Sequence, residues 1–159
     1  MKDEALSAKP EGAFEKYLCE GIAYEKLGQA AESRSAFLKA KELIEGAVRT
    51  APNYASGHAN LARALAHLGE KEAAIAAAKR ATELLPESAD AFEGPVMTAA
   101  LAEVYALTGE NAKAIELLDG LLSRPSEVTA AMLKLDPALD RLRDDPAFQK
   151  MLTQHESKA

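Results

Sequence analysis

Apolar positions recur every three or four residues along most of this chain, a spacing that predicts helices with one buried face. The longest run keeps its apolar face in phase through Phe37, Ala40, Ile44 and Val48. The pattern is interrupted three times by glycine, at intervals of 41 and 40 residues: Gly28, Gly69 and Gly109. Each glycine is expected to end the first helix of a pair, because it enters the left-handed conformation without a Cβ penalty. The sequence therefore predicts three helix-turn-helix pairs.

The residues around the three glycines correspond. A large apolar residue stands four positions before each glycine: Tyr24, Leu65 and Tyr105. Small residues stand seven before it (Gly21, Ala62, Ala102) and five after it (Ser33, Ala74, Ala114). Small residues return twelve positions after the first two glycines, at Ala40 and Ala81, whereas Leu121 departs from the pattern. Small side chains at a crossing allow two helices to approach closely.

These positions resemble the tetratricopeptide repeat, a unit of about 34 residues that carries W-x2-L-G-x2-Y, then A-x3-F, then P. The middle copy, residues 55–88, fits best and fills the signature with His58, Leu61, Ala62, Leu65, Gly69, Ala74, Ala78, Ala81 and Pro86. His58 replaces tryptophan, and we expect it to pack rather than to bind a metal. The resemblance covers residues 14–125. It implies an all-α, right-handed helical-repeat solenoid of three pairs with a helical C-terminal cap.

The resemblance also divides the chain. Residues 1–125 would hold three repeats, at about 14–51, 55–88 and 89–125, and residues 126–159 a helical cap and tail. In the first repeat the second helix runs on through LIEGAVRTAP to Pro52, about two turns beyond the usual end. Before the third repeat, ESADAFEGP predicts an extra helical turn that is kinked at Gly94–Pro95.

The tail contains aspartates directly before prolines, Asp136–Pro137 and Asp145–Pro146. This pair is typical of a helix start, because the carboxylate accepts hydrogen bonds from the first turn and proline needs no partner there. Ser126 after Pro125 marks a third start. We expect three short helices, near 126–134, 137–143 and 146–155, that cover the end of the array. A calcium loop is disfavoured, since its alternating acids, turn glycine and distal glutamate do not occur at the required spacing.

Composition narrows the function. The net charge is −6 and no block of basic residues stands out, which disfavours binding to nucleic acid. Cys19 is the single cysteine, so we expect a reducing compartment and a buried, inert thiol. The first residues lack a signal-peptide core, and no apolar run approaches the ~18 residues of a membrane span. These features predict a cytoplasmic protein that does not bind membranes.

Catalysis has no support in the motifs. The chain has no phosphate loop, G-x-S-x-G elbow, H-E-x-x-H or C-x-x-C motif, and each of these supplies a specific chemistry. We expect no catalytic residue, no metal site and no cofactor, although an enzyme with an unrecognised site remains a rival hypothesis.

The resemblance implies that the first helix of each repeat lines a concave groove. Its slots fall on Leu18, Ile22, Ala59, Arg63, His67, Ala99 and Glu103. With Arg63 as the only cation, these slots do not resemble the Lys and Asn clamp with which other such repeats hold the C-terminal carboxylate of chaperones. An amphipathic helix or an extended apolar peptide suits them better. The alternative is that the chain's own N-terminal segment or tail fills the groove, or that it is unused.

The predicted function is a non-enzymatic scaffold that binds a protein or peptide partner in this groove. The arrangement also resembles the C-terminal three-repeat region of bacterial multidomain signalling proteins, such as Ser/Thr kinases and adenylate-cyclase-like regulators. In those proteins a similar insertion precedes a tail like LKLDPALDRLRDDPAFQKML. This implies an alternative role as a regulatory accessory module of a separate kinase or cyclase. A self-associating scaffold is the other alternative, and the sequence leaves the oligomeric state open.

Overall fold

The computed structural model describes residues 10–124 and 128–156, and every regular element within these stretches is a helix. Six of them form three successive pairs: α1 (Pro10–Lys26) with α2 (Ala30–Thr50), α3 (Ala55–His67) with α4 (Lys71–Leu84), and α5 (Gly94–Leu107) with α6 (Asn111–Leu122). Each pair packs on the next through α2 against α3 and α4 against α5. The prediction of an all-α helical-repeat solenoid is confirmed.

The three turn glycines have left-handed backbones, with φ of +72° at Gly28, +81° at Gly69 and +84° at Gly109. The residue after each glycine donates its N–H to the carbonyl five positions back, as Glu70 does to Leu65 at 2.9 Å. The glycine N–H itself donates to the carbonyl three positions back. This pair of bonds is the Schellman motif, which satisfies carbonyls that a helix end leaves free. The turns predicted from the sequence are therefore confirmed.

Gly69→Ala should lower the free energy of unfolding by about 1–2 kcal/mol. A Cβ at this position would meet no atom within 4 Å, so the cost comes from the left-handed backbone alone. Gly120→Ala is the matched control, because Gly120 lies within α6 and its Cβ would also meet open space. That control should be neutral or stabilising by up to about 1 kcal/mol. Urea denaturation measures both, and equal losses would contradict the argument from φ.

The small residues at the helix crossings are buried, as their spacing predicts. Five alanines there have no exposed surface: Ala62, Ala74, Ala81, Ala102 and Ala114. In the first pair the ring of Phe37 lies so close to Gly21 that a Cβ on the glycine would be 2.7 Å from it. Ser33 donates its hydroxyl hydrogen to the Gly21 carbonyl at 2.9 Å, so the buried hydroxyl has a partner.

The long second helix of the first repeat is confirmed, since α2 continues to Thr50. The extra kinked helical turn before the third repeat is wrong. Residues 85–93 form a turn that Asp90 closes by accepting from the N–H groups of Phe92 and Glu93, both at 2.9 Å. Helix α5 then begins at Gly94, with Pro95 in its first turn. Proline lacks an N–H and has a fixed φ, so it suits a helix start better than a helix interior.

Three short elements follow the last pair: α7 (Ala130–Leu135), a 3₁₀ helix (Pro137–Leu142) and α8 (Pro146–Glu156). We call them together the cap. Asp136 accepts from the Ala138 N–H, and Asp145 from the Ala147 N–H, both at 2.9 Å. The predicted role of these aspartates at helix starts is confirmed. The start predicted at Ser126 lies outside the described residues.

The cap and the last pair share one hydrophobic core. Six large side chains of the cap are buried in it: Leu133, Leu139, Leu142, Phe148, Met151 and Leu152. They pack with residues of α5 and α6 that include Val104, Leu118 and Leu121. The cap thus covers the apolar face that the third pair would otherwise expose, as the end of a repeat array requires.

Cys19 and His58 were both expected to pack against other residues. Cys19 is exposed, and the prediction of a buried thiol is wrong. Phe14 and Leu18 form the buried side of α1, and the next position turns about 100° away from that side. His58 is partly buried, and its ring Nε2 lies 2.9 Å from the Pro52 carbonyl oxygen, so it ties α3 to the preceding loop.

Candidate functional site

The first helices of the three pairs converge on one cleft, which we call the concave cleft. Its cavity has a volume of about 230 Å³. Five of the seven residues that the sequence proposed for the groove line it: Leu18, Ile22, Arg63, His67 and Glu103. Leu107 of α5 also contributes, together with Asp136, Pro137 and Ala138 of the cap.

The structure places the other two proposed residues elsewhere. Ala59 is 1% exposed and packs in a separate small core with Ala81, Met97 and Ala100. Ala99 is partly buried against the main core and is not among the residues that line the cavity. Neither residue lines the cavity of the concave cleft.

The cap closes one end of the concave cleft. Its 3₁₀ helix packs on α5, and Leu139 and Leu142 are fully buried there. Asp140 forms an ion pair with Lys26 of α1, and Arg141 donates from Nη1 to the Leu107 carbonyl at 2.8 Å. The chain's own tail therefore occupies the part of the groove next to the turn glycines. A tail that fills part of the groove is the alternative to a free groove that the sequence left open.

A bidentate ion pair spans the concave cleft from α3 to α5. Arg63 donates from Nε to Glu103 Oε2 at 2.6 Å and from Nη2 to Oε1 at 3.2 Å. Burial alone would lower the pKa of Arg63, but attraction and hydrogen bonding to Glu103 outweigh it and the pKa is raised. A third donor, Nη1, binds Asn60 Oδ1 at 3.1 Å. Because its guanidinium is already engaged on both sides, Arg63 is poorly suited to capture a carboxylate from a partner.

His67 lies under the cap at the boundary between the first two pairs. Its ring stacks on Phe37 with centroids 4.3 Å apart, and its Nδ1 is 2.8 Å from Glu25 Oε2. Burial lowers the pKa of His67, and Arg141 and Lys26 lower it further, whereas Glu25 opposes them. With a lowered pKa the imidazole is neutral at pH 7. It adds no positive charge to the concave cleft.

Within residues 10–124 and 128–156, no group of three or more His, Cys, Asp and Glu side chains could hold a metal ion. Each buried side-chain nitrogen or oxygen in this part of the chain has a hydrogen-bond partner. None of the described helices is long and apolar enough to cross a membrane.

Sequence reasoning missed four residues that line the concave cleft: Leu107, Asp136, Pro137 and Ala138. Leu107 could have been found, because it continues the helical stripe of Ala99 and Glu103 by one further turn. The three cap residues carried a signal for a helix start. They carried none for where this helix lies in space, because that depends on how the cap packs against α5.

Stacked helix pairs around a partly closed concave cleft define a helical-repeat protein of the kind that offers an extended surface to other molecules. A family model described as tetratricopeptide repeat matches residues 55–87. This segment is the pair α3 and α4 with the three residues that follow, and the match supports the resemblance to this repeat. Comparison with curated proteins finds no match.

Proposed function

We propose that this protein is a non-enzymatic scaffold whose concave cleft binds a short peptide or a helix of a partner protein. The observation that carries the proposal is the convergence of five groove residues from α1, α3 and α5 on a single cavity. The tetratricopeptide match supports an interaction scaffold in general terms. That the partner binds as a peptide, with a particular orientation and particular contacts, is part of what we propose.

The chemistry of the concave cleft narrows the partner. Leu18, Ile22, Leu107 and Pro137 supply apolar walls, and the Arg63–Glu103 pair adds a polar strip without net charge. At about 230 Å³, the cavity is smaller than the ~300–1,000 Å³ that is common for small-molecule sites. This size favours an apolar side chain that anchors a longer peptide. The carboxylate of a chain terminus would have to displace Glu103 from Arg63.

The test begins with a display selection of random peptides against the whole protein, followed by calorimetry of the selected sequences. Ile22→Glu should weaken the binding of a selected peptide by about tenfold or more, because it places a charge in an apolar pocket. Ile115→Glu is the matched control, since Ile115 is also partly buried but lies on α6, away from the concave cleft. A peptide whose binding is lost in the control and kept in Ile22→Glu would contradict the proposal.

The same assay tests the predicted lack of a carboxylate clamp. A peptide that ends in a free acidic C-terminus should bind no better than its amidated form. Preference for the free carboxylate would show that Arg63 exchanges Glu103 for the ligand, and the proposed apolar anchor would then be wrong.

Two further roles stay predictions from the sequence. One is a regulatory accessory module of a separate kinase or cyclase, which a direct binding assay with such an enzyme would test. The other is self-association, which light scattering across a range of concentrations would test. A bacterial source and a cytoplasmic location also stay predictions.

A further inference from the structure

The outer face of the first pair is exposed where the corresponding faces of the later pairs are covered. Positions can be matched by counting back from each turn glycine. Five positions before it, Ala64 and Val104 are fully buried, whereas Ala23 is exposed. Eight positions before it, Leu61 and Leu101 pack into cores, whereas Glu20 borders an open groove. The same side of the helix is therefore interior in α3 and α5 but is on the surface in α1.

We call this surface the end face: Tyr17, Glu20, Ala23 and Tyr24 of α1, Leu27 of the turn that follows, and Glu32 and Lys39 of α2. Leu27, three positions after Tyr24, is 71% exposed. Between α1 and α2 runs an open groove of about 550 Å³, lined by Tyr17 and Tyr24 among others. In the second and third pairs, the preceding pair's second helix lies against this side. The end face thus has the shape that receives a helix.

We propose that the end face binds the end face of a second copy of this chain, in a two-fold symmetric dimer. A head-to-tail contact is disfavoured because the cap covers the other end of the array. Tyrosines such as Tyr17 and Tyr24, which line this groove, are enriched in interface cores. A two-fold axis also requires a surface to complement itself, and the charges of the end face can do so.

The charges are arranged around the tyrosine-lined groove. Glu20, Glu32 and Lys39 all border it. In a two-fold dimer, the acidic side chains of one copy can face Lys39 of its partner, and the contact occurs twice. In the single chain, Lys39 contacts Glu42 at 2.8 Å and Glu20 contacts Lys16 at 3.7 Å, all of them at the surface. Exposed pairs of this kind contribute little, so they can exchange partners when two copies meet.

The first experiment is sedimentation equilibrium of the full chain over a range of concentrations. We expect a monomer–dimer equilibrium. Leu27→Glu should raise the dimer dissociation constant by about tenfold or more, as expected for a charge in an interface core. Leu135→Glu is the matched control, because Leu135 is also a highly exposed leucine, at 80%, but lies on α7 of the cap. It should leave the dissociation constant unchanged.

The second experiment exchanges charges. Lys39→Glu places acid opposite acid in both symmetric contacts, and Glu20→Lys places base opposite base. Each variant alone should dimerise more weakly than the parent. An equimolar mixture of the two should recover dimerisation, because the acidic face of one variant meets the basic face of the other. Circular dichroism confirms that both variants keep their fold.

Three results would overturn the inference. The full chain could stay monomeric at every concentration, the control Leu135→Glu could abolish a dimer that Leu27→Glu leaves intact, or the mixed charge variants could fail to associate. Deletion of residues 1–9 tests whether the chain's own N-terminal segment occupies the end face instead. If the chain dimerises only after this deletion, its own N-terminal segment covers the end face and the proposal is wrong. Peptide binding at the concave cleft should be the same in Leu27→Glu, so this inference and the proposed function can fail separately.

Discussion

Ending the chain after Pro125 should give a fragment that aggregates or self-associates instead of folding as a stable monomer. The truncation removes six large side chains of the cap that share a core with α5 and α6, among them Phe148 and Met151. Their removal leaves the apolar face of the third pair in water. Light scattering and thermal melting of the fragment measure the result. A monomeric fragment as stable as the parent would contradict the assignment of the cap as part of the fold.

A point substitution tests the same contact without removing the chain. Phe148→Ala should lower the free energy of unfolding by about 3–5 kcal/mol, since it opens a cavity where the ring is almost fully buried. Leu135→Ala in the same cap is the control and should change stability by no more than about 0.5 kcal/mol. Similar losses in the two variants would show that Phe148 is not packed as described.

Phe37→Ala, tested as a single substitution, should lower the free energy of unfolding by about 3–5 kcal/mol. The ring is 1% exposed and connects two pairs, because it lies against Gly21 of α1 and stacks on His67 of α3. Its removal leaves a void at the boundary between the first and second pairs, close to the concave cleft. Urea denaturation measures the loss.

Leu38→Ala is the control for Phe37→Ala. Leu38 is the next residue on α2 and is 45% exposed, so its substitution should have a small effect. A loss below about 1 kcal/mol for Phe37→Ala, similar to that of Leu38→Ala, would mean that Phe37 does not fill the boundary between the pairs. The proposed geometry of the concave cleft would then lose its support on that side.

The order of helices was predictable because its causes are local. The apolar spacing of each helix, the left-handed glycines and the aspartates before prolines act over a few residues, so their consequences can be derived from the sequence. One local signal was interpreted wrongly. At Gly94–Pro95 the proline is compatible with either a kink or a helix start, and the structure has a helix that starts there.

The groove was predicted only in part because exposure depends on neighbours. Arg63 and His67 face the concave cleft, but Ala59 does not, although it is one helical turn before Arg63. Helix α3 is covered by α2, α4 and α5, so the stripe that remains accessible is narrow. Helical periodicity places a residue on one side of its own helix. It does not predict how much of that helix the neighbouring helices cover.

By itself, the sequence determined three helix pairs, the positions of their turns and the short helices that follow them. Those features depend on backbone preference and apolar spacing within single segments. Only the tertiary structure decided that the 3₁₀ helix closes the concave cleft, that Arg63 is paired with Glu103 and that the face of α1 is exposed. Each of these depends on contacts between residues that are far apart in the chain, 40 positions for Arg63 and Glu103 and 114 for Lys26 and Asp140. The repeat spacing placed Arg63 and Glu103 in the same groove, but it did not determine that the two side chains pair.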